Sequence, residues 1–131
     1  MNYQTYVLDA NVFIEASRRY YAFDLAPGFW ESLIHFGKSG QVKSIDRIKQ
    51  ELLRGHDELS DWVQKNFDDA FASTNEPKII KSYKDIMNWV NSQTQFLPKA
   101  MSDFANGGDG WLVAFARATD SIVVPFPLNK F

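Results

Sequence analysis

"TYVLDANVFIEASRR", Thr5 to Arg19, is the stretch that decides how this chain folds. Tyr6-Val7-Leu8 is aromatic and aliphatic without polar alternation, the pattern of a short strand buried on both faces of a parallel sheet. The run stops at Asp9. Beyond it, Val12, Phe13, Ala16, Tyr20 and Phe23 recur at helical spacing, so a helix is expected to begin just after the aspartate. Two readings of Asp9 are open at this point. An aspartate before a helix accepts backbone N–H groups and suits the positive end of the dipole. In an open parallel sheet, the same spot beyond the strand's carboxyl end is where ligands bind.

Working outward, Pro27-Gly28 predicts a turn, followed by a helix through Phe29, Trp30, Leu33, Ile34 and Phe36 that closes at Gly37 and Gly40. "VKSI", Val42 to Ile45, predicts a second strand. Ser44 or Asp46 is expected to cap a helix over "RIKQELLRG", with Ile48 and Leu52 inward and an end at Gly55. "DELSDWVQKNFDDAF" predicts another helix, through Leu59, Trp62, Val63 and Phe67, and "STNEP" breaks it. Pro77 opens a long amphipathic helix carrying Ile79, Tyr83, Ile86 and Val90. A further helix is expected from Phe96 to Phe104. "ANGGDG" predicts a loop, Trp111 to Ala118 a small-residue helix able to lie close on a sheet, and "SIVVPF" a last strand. Trp62, Trp89 and Trp111 fall at helical core spacing. Strands alternating with helices predict an α/β sandwich with a small, mostly parallel sheet and a helix-rich middle third.

The composition sets bounds on function. A length of 131 residues suits a single domain spanning 1–131. Eleven Phe and 4 Trp within 45% hydrophobic residues supply a packed core rather than a disordered chain. The apolar runs fall far short of the roughly 20 residues of a membrane span, and "MNYQTYVLD" lacks a basic and then greasy leader, so a cytoplasmic protein without membrane contact is expected. The absence of Cys excludes disulfides, thiolate zinc sites and cysteine nucleophiles. Two His, His35 and His56, cannot complete a closed zinc site. Any metal must be held by oxygen. The net charge of -2 disfavours nucleic-acid binding through bulk charge but leaves room for a local basic strip. "GGDG" lacks the GxxxxGK[ST] pattern, which disfavours nucleotide-triphosphate hydrolysis.

Three acids stand out. Asp9 ends the first strand, Asp109 lies between glycines ahead of a tightly packed helix, and Glu51 sits on the polar side of the helix that buries Ile48 and Leu52. Each alone has an ordinary structural explanation, as a cap or a solvated helix face. Together they are more telling. A parallel sheet brings distant strand ends to one edge, where several carboxylates repel unless a cation neutralises them. Mg²⁺ is a hard ion that binds through a few carboxylate oxygens, completed by water and phosphate.

"YVLDANVFI", an acid on a mid-chain helix, "GGDGWLVAFA" and a terminal "SIVV" strand together resemble the PIN-domain ribonucleases. Their first strand reads as hydrophobic residues, Asp, any residue, Asn and hydrophobics again. The middle segment looks like a bacterial PIN-like branch with an E-L-x-x-G-x-D-E-L-x-x-W signature, matched by Glu51, Leu52, Gly55, Asp57, Glu58, Leu59 and Trp62. The similarity covers nearly the whole chain. It implies a three-layer α/β/α PIN-like sandwich in which Asp9, Glu51 and Asp109 hold Mg²⁺ or Mn²⁺ and Asn11 supports the site. The implied activity is metal-dependent endoribonuclease cleavage of RNA, as the toxin of a bacterial type II toxin–antitoxin pair. The implied partners are an antitoxin and a second copy of the chain in a homodimer. The chain departs from the family where a fourth acidic or polar residue usually follows the last strand, since "VVPFPLNKF" has Pro125 and Pro127 there. Either Asp120 or another side chain substitutes, three acids suffice, or the protein is a catalytically silent PIN-like binding module.

Lys38, Lys43, Arg47, Lys49 and Arg54 cluster in sequence around Glu51. They are read either as a phosphate-contacting rim or as a solvated helix face with Arg47 and Arg54 paired to Glu51. Arg18 and Arg19, beside Tyr20 and Tyr21, are candidates for stacking on unpaired bases, with surface packing the plainer reading. His56 beside Asp57 is a minor candidate for a general base.

Overall fold

A computed structural model describes residues 4–20, 22–93, 98–99 and 108–124. The expected first strand forms as β1, Tyr6–Leu8, with Val7 and Leu8 buried, and the chain turns directly into helix α1, Ala10–Glu15. The helix does not run on at ordinary pitch to Phe23: Ala16–Tyr20 widens into a π-type turn. Helix α2, Pro27–Ser39, begins at Pro27 itself. A proline is well suited to the first helical position, where its missing N–H costs nothing, so Pro27-Gly28 starts the helix rather than a separate turn. Gly40 ends α2 with φ of 82°, the left-handed conformation that only glycine adopts without strain. Gly37 is not a terminator. It lies inside α2, where a Cβ would stand 2.8 Å from the Phe67 ring, so the close packing there calls for glycine.

Strand β2, Val42–Ile45, leads straight into α3, Asp46–Leu53, and then α4, Glu58–Asn66, capped by the Asp57 carboxylate accepting from the Ser60 N–H at 2.9 Å. Neither residue proposed as the α3 cap plays that part. Ser44 donates to the Leu8 carbonyl at 2.7 Å, tying β2 to the end of β1. The Asp46 carboxylate accepts from the backbone N–H of Arg47 and from both the N–H and the hydroxyl of Thr74.

The segment expected to remain helical through Phe71 breaks instead. Asp68–Ala70 forms a 3₁₀ turn, and Phe71–Ala72 forms β3, a strand missed in the sequence. Helix α5, Pro77–Asn91, starts at its proline as expected, and α6, Gly108–Thr119, takes Asp109 into its first turn. Strand β4, Ile122–Val124, completes the sheet. Of the helix expected over 96–104, only 98–99 are described, and they are helical; the rest, like Pro125 and Pro127, lies outside the described residues.

All four strands are parallel, in the order β3-β2-β1-β4. The fold is an α/β sandwich of three layers, with helices on both faces of a small sheet. The chain builds outward from β1 to β3, then returns across β1 to place β4 on its other side. The order therefore reverses at β1, the strand that delivers Asp9, and such reversals are where α/β sheets open a crevice. The core joins Val7, Ile45, Ile48 and Ile79 to an aromatic cluster. In that cluster Phe67 meets Phe13 at 5.5 Å, Phe71 at 5.4 Å and Trp62 at 5.8 Å, while Phe23 stacks on Trp30 at 4.2 Å. Trp62 is buried as expected, but Trp89 is 58% exposed and does not belong to the core. Among the described residues no helix is long and apolar enough to cross a membrane.

Candidate metal centre

Asp9 occupies the junction between β1 and α1, and two contacts hold its backbone. Its N–H reaches the Val124 carbonyl at 3.5 Å, and its own carbonyl accepts from Val12 at 3.1 Å. Its side chain stands at the capping position of α1 yet closes no cap hydrogen bond. Burial, and then the nearby Asp109 carboxylate, push its pKa above 3.8, while the amides of Ala10 and Asn11 pull the other way without reaching closed cap geometry. The capping explanation of Asp9 therefore accounts for its place in the chain but not for its side chain.

Glu51 projects from α3, and its pKa is also raised. Burial is the first cause, then the charges of Asp9 and Asp109, with Arg54 acting in the opposite direction. Asp109 comes in from α6, whose first residue sits so close to α3 that a Cβ on Gly108 would stand 2.9 Å from Ile48 Cδ1 and 3.9 Å from Glu51 Oε2. Three carboxylates from β1, α3 and α6 thus share one electrostatic neighbourhood at the carboxyl edge of the sheet. Their donor set is oxygen only, which suits Mg²⁺ or Mn²⁺. Among the described residues no three acidic, His or Cys side chains have closed to ligating geometry around one point.

Asn11 is exposed in the first turn of α1, and its backbone amide rather than its side chain is what favours the Asp9 charge. Asp120 cannot replace a fourth acid at this edge. Tyr6 pairs with Ile122, so Asp120 lies level with Gln4, about 16 Å along the strand direction from Asp9 at ~3.3 Å per residue.

The basic residues do not gather into one rim. Arg54 is the one whose charge acts on Glu51. Arg47, expected to pair with Glu51 or contact phosphate, instead lays its guanidinium 4.0 Å over the Trp111 ring and donates Nε–H to the Thr74 hydroxyl at 3.3 Å. Lys49 pairs with Asp68. Lys43 is half-buried in mid-strand, level with Val7 and set back from the edge. Lys38 borders a cavity of about 310 Å³ with Gly37, Lys65 and Asp69; the segments that line it lead into β2 and β3, so it opens at the opposite, amino edge. Arg18 is exposed after α1, and the side chain of Arg19 lies outside the described residues. His56 is exposed in a turn with φ of 48°. Trp111, expected in the core, does pack against it, but it also carries the Arg47 guanidinium and the Tyr83 ring, contacts that the sequence did not announce.

A family model matches residues 6–126. The chain belongs to DUF4411, a domain of unknown function. The DUF4411 match spans β1 through β4 and takes in Asp9, Glu51 and Asp109. No curated protein and no solved structure matches the chain.

Proposed function

We propose that this chain is a PIN-like, metal-dependent endoribonuclease using Asp9, Glu51 and Asp109. The observation that carries the reading is the convergence of three carboxylates, from the end of β1, from α3 and from the start of α6, on the carboxyl edge of the sheet, where burial first and then the neighbouring acids push Asp9 and Glu51 above their ordinary values. A Mg²⁺ or Mn²⁺ ion held there would supply a hydrolytic water and neutralise charge developing at phosphorus. Asp9 offers a carboxylate fixed by the β1–α1 junction, Glu51 and Asp109 offer theirs from two helices that meet at Ile48 and Gly108, and Arg54 supplies positive charge alongside. No protein nucleophile is needed. The resemblance to bacterial PIN-like proteins extends the proposal to the toxin of a toxin–antitoxin pair, acting in the cytoplasm with an antitoxin partner and as a homodimer.

The test is cleavage of a single-stranded RNA in Mn²⁺ by the parent and by Asp9→Asn. A parent that cleaves and a variant slower by at least ~100-fold support the proposal, since this substitution removes a ligand; equal cleavage overturns it. A second reading, a catalytically silent binding module, is favoured by the lack of any acid in residues 121–131. Calorimetric titration with Mn²⁺ separates the two, because a silent module shows no binding that depends on Asp9.

A further inference from the structure

Arg47 and Trp111 link the two helices that carry Glu51 and Asp109. Arg47 precedes Glu51 by four residues on α3, one helical turn away, and Trp111 follows Asp109 by two on α6. The guanidinium carbon lies 4.0 Å over the Trp111 ring, and the Tyr83 ring of α5 stacks on it at 3.9 Å and 6°. Two groups centred within about 4 Å of one ring cannot share a face, so Trp111 is held between them. Arg47 is in turn fixed from behind. Its Nε–H is donated to Thr74, whose hydroxyl and N–H are donated to Asp46, which also accepts the backbone N–H of Arg47. Thr74 is only 2% exposed, so this base is built into the fold. Close approach at Gly108 and Ile48 brings α6 onto α3 beside this clamp.

We propose that Arg47 and Trp111 are a positioning pair that fixes the separation of Glu51 and Asp109 for a divalent cation, so that Arg47 is not a contact for RNA phosphate. The inference rests on the proposed metal site. Arg47 is exposed at the surface, but its guanidinium sits over one face of a tryptophan whose other face is occupied and its Nε–H is already donated to Thr74, so its place is set by the protein. Supporting groups of this kind change metal affinity without touching the ion.

Mn²⁺ titration calorimetry on the full chain tests it, with the parent, Arg47→Met, Trp111→Leu, the double variant and Asp57→Ala compared. The last removes the cap of α4, a comparable loss of stability away from the acids, and is expected to bind Mn²⁺ like the parent. Each single variant at the clamp is expected to weaken Mn²⁺ binding by about tenfold or more. The double variant is expected to be no weaker than the worse single, as for two residues acting as a unit. Parent-like Mn²⁺ binding in Arg47→Met and Trp111→Leu overturns the proposal while leaving the metal site intact, as does a loss in Arg47→Met confined to RNA binding in chelator. Effects that multiply in the double variant, or a similar loss in Asp57→Ala, overturn it as well. A parent that binds no Mn²⁺ removes both the site and the clamp's role.

Discussion

At Asp9, burial and the Asp109 carboxylate both act against ionisation, and the amides of Ala10 and Asn11 only partly offset them. Glu51 is under the same pressure from burial and its two acidic neighbours. The unfolded chain ionises these groups near 3.8 and 4.5, the folded chain at higher pH. Between the ordinary and the raised values the folded state holds more protons, so stability falls as pH rises through that window and the full deficit is present at neutral pH. Asp9→Asn removes one of the repelling charges. In metal-free buffer it is therefore expected to melt above the parent at neutral pH, with the gap closing as pH falls to the ordinary carboxylate range. A gap of constant size across a pH series of thermal melts would contradict this account. Adding Mn²⁺ is expected to reverse the order, stabilising the parent more than the variant.

Among the elements, α3 and α6 meet closely at the site. Gly108→Ala places a methyl 2.9 Å from Ile48 Cδ1, next to Glu51. The expected cost is about 1–3 kcal/mol in chemical denaturation, as for other overpacked contacts. Mn²⁺ affinity is expected to fall with it, because the methyl enters the space between Ile48 and Glu51 from which two of the three acids are presented. Much of the element pattern was legible in the sequence. β1, β2 and the helix from Pro77 announced themselves through periodicity and proline, which are local properties. β3 did not, since two residues carry no period and its identity comes from pairing Ser44 with Phe71 and Ile45 with Ala72. Gly37 read as a stop because its reason for being glycine, the Phe67 ring, lies thirty residues away. The acids were legible as candidates for the same reason the strands were: each sits where an element begins or ends, or on a helix's polar side. The fate of the bases was not. Arg47 could reach Glu51, phosphate or Trp111 from α3, and only packing between helices decides among them.

Across the molecule as a whole, the sheet separates two environments. The acids gather at its carboxyl edge, while the aromatic cluster around Phe67 fills one side of the core and reaches the cavity at the amino edge. Phe67→Ala is expected to cost about 3–5 kcal/mol, a large share of the ~5–15 kcal/mol typical of a domain. Under conditions where the variant stays folded, Mn²⁺ affinity is expected to match the parent's; a parallel loss would mean that core and acids are not separate. The sheet order has a temporal side too. β1 lies against β4, residues 6–8 beside 122–124, so a strand made early waits for a partner made more than a hundred residues later. Asp109 likewise arrives long after Asp9 and Glu51 have left the ribosome. Any translation product that stops before α6 lacks Asp109, one of the three carboxylates at this edge, so the cluster is complete only once most of the domain has been made.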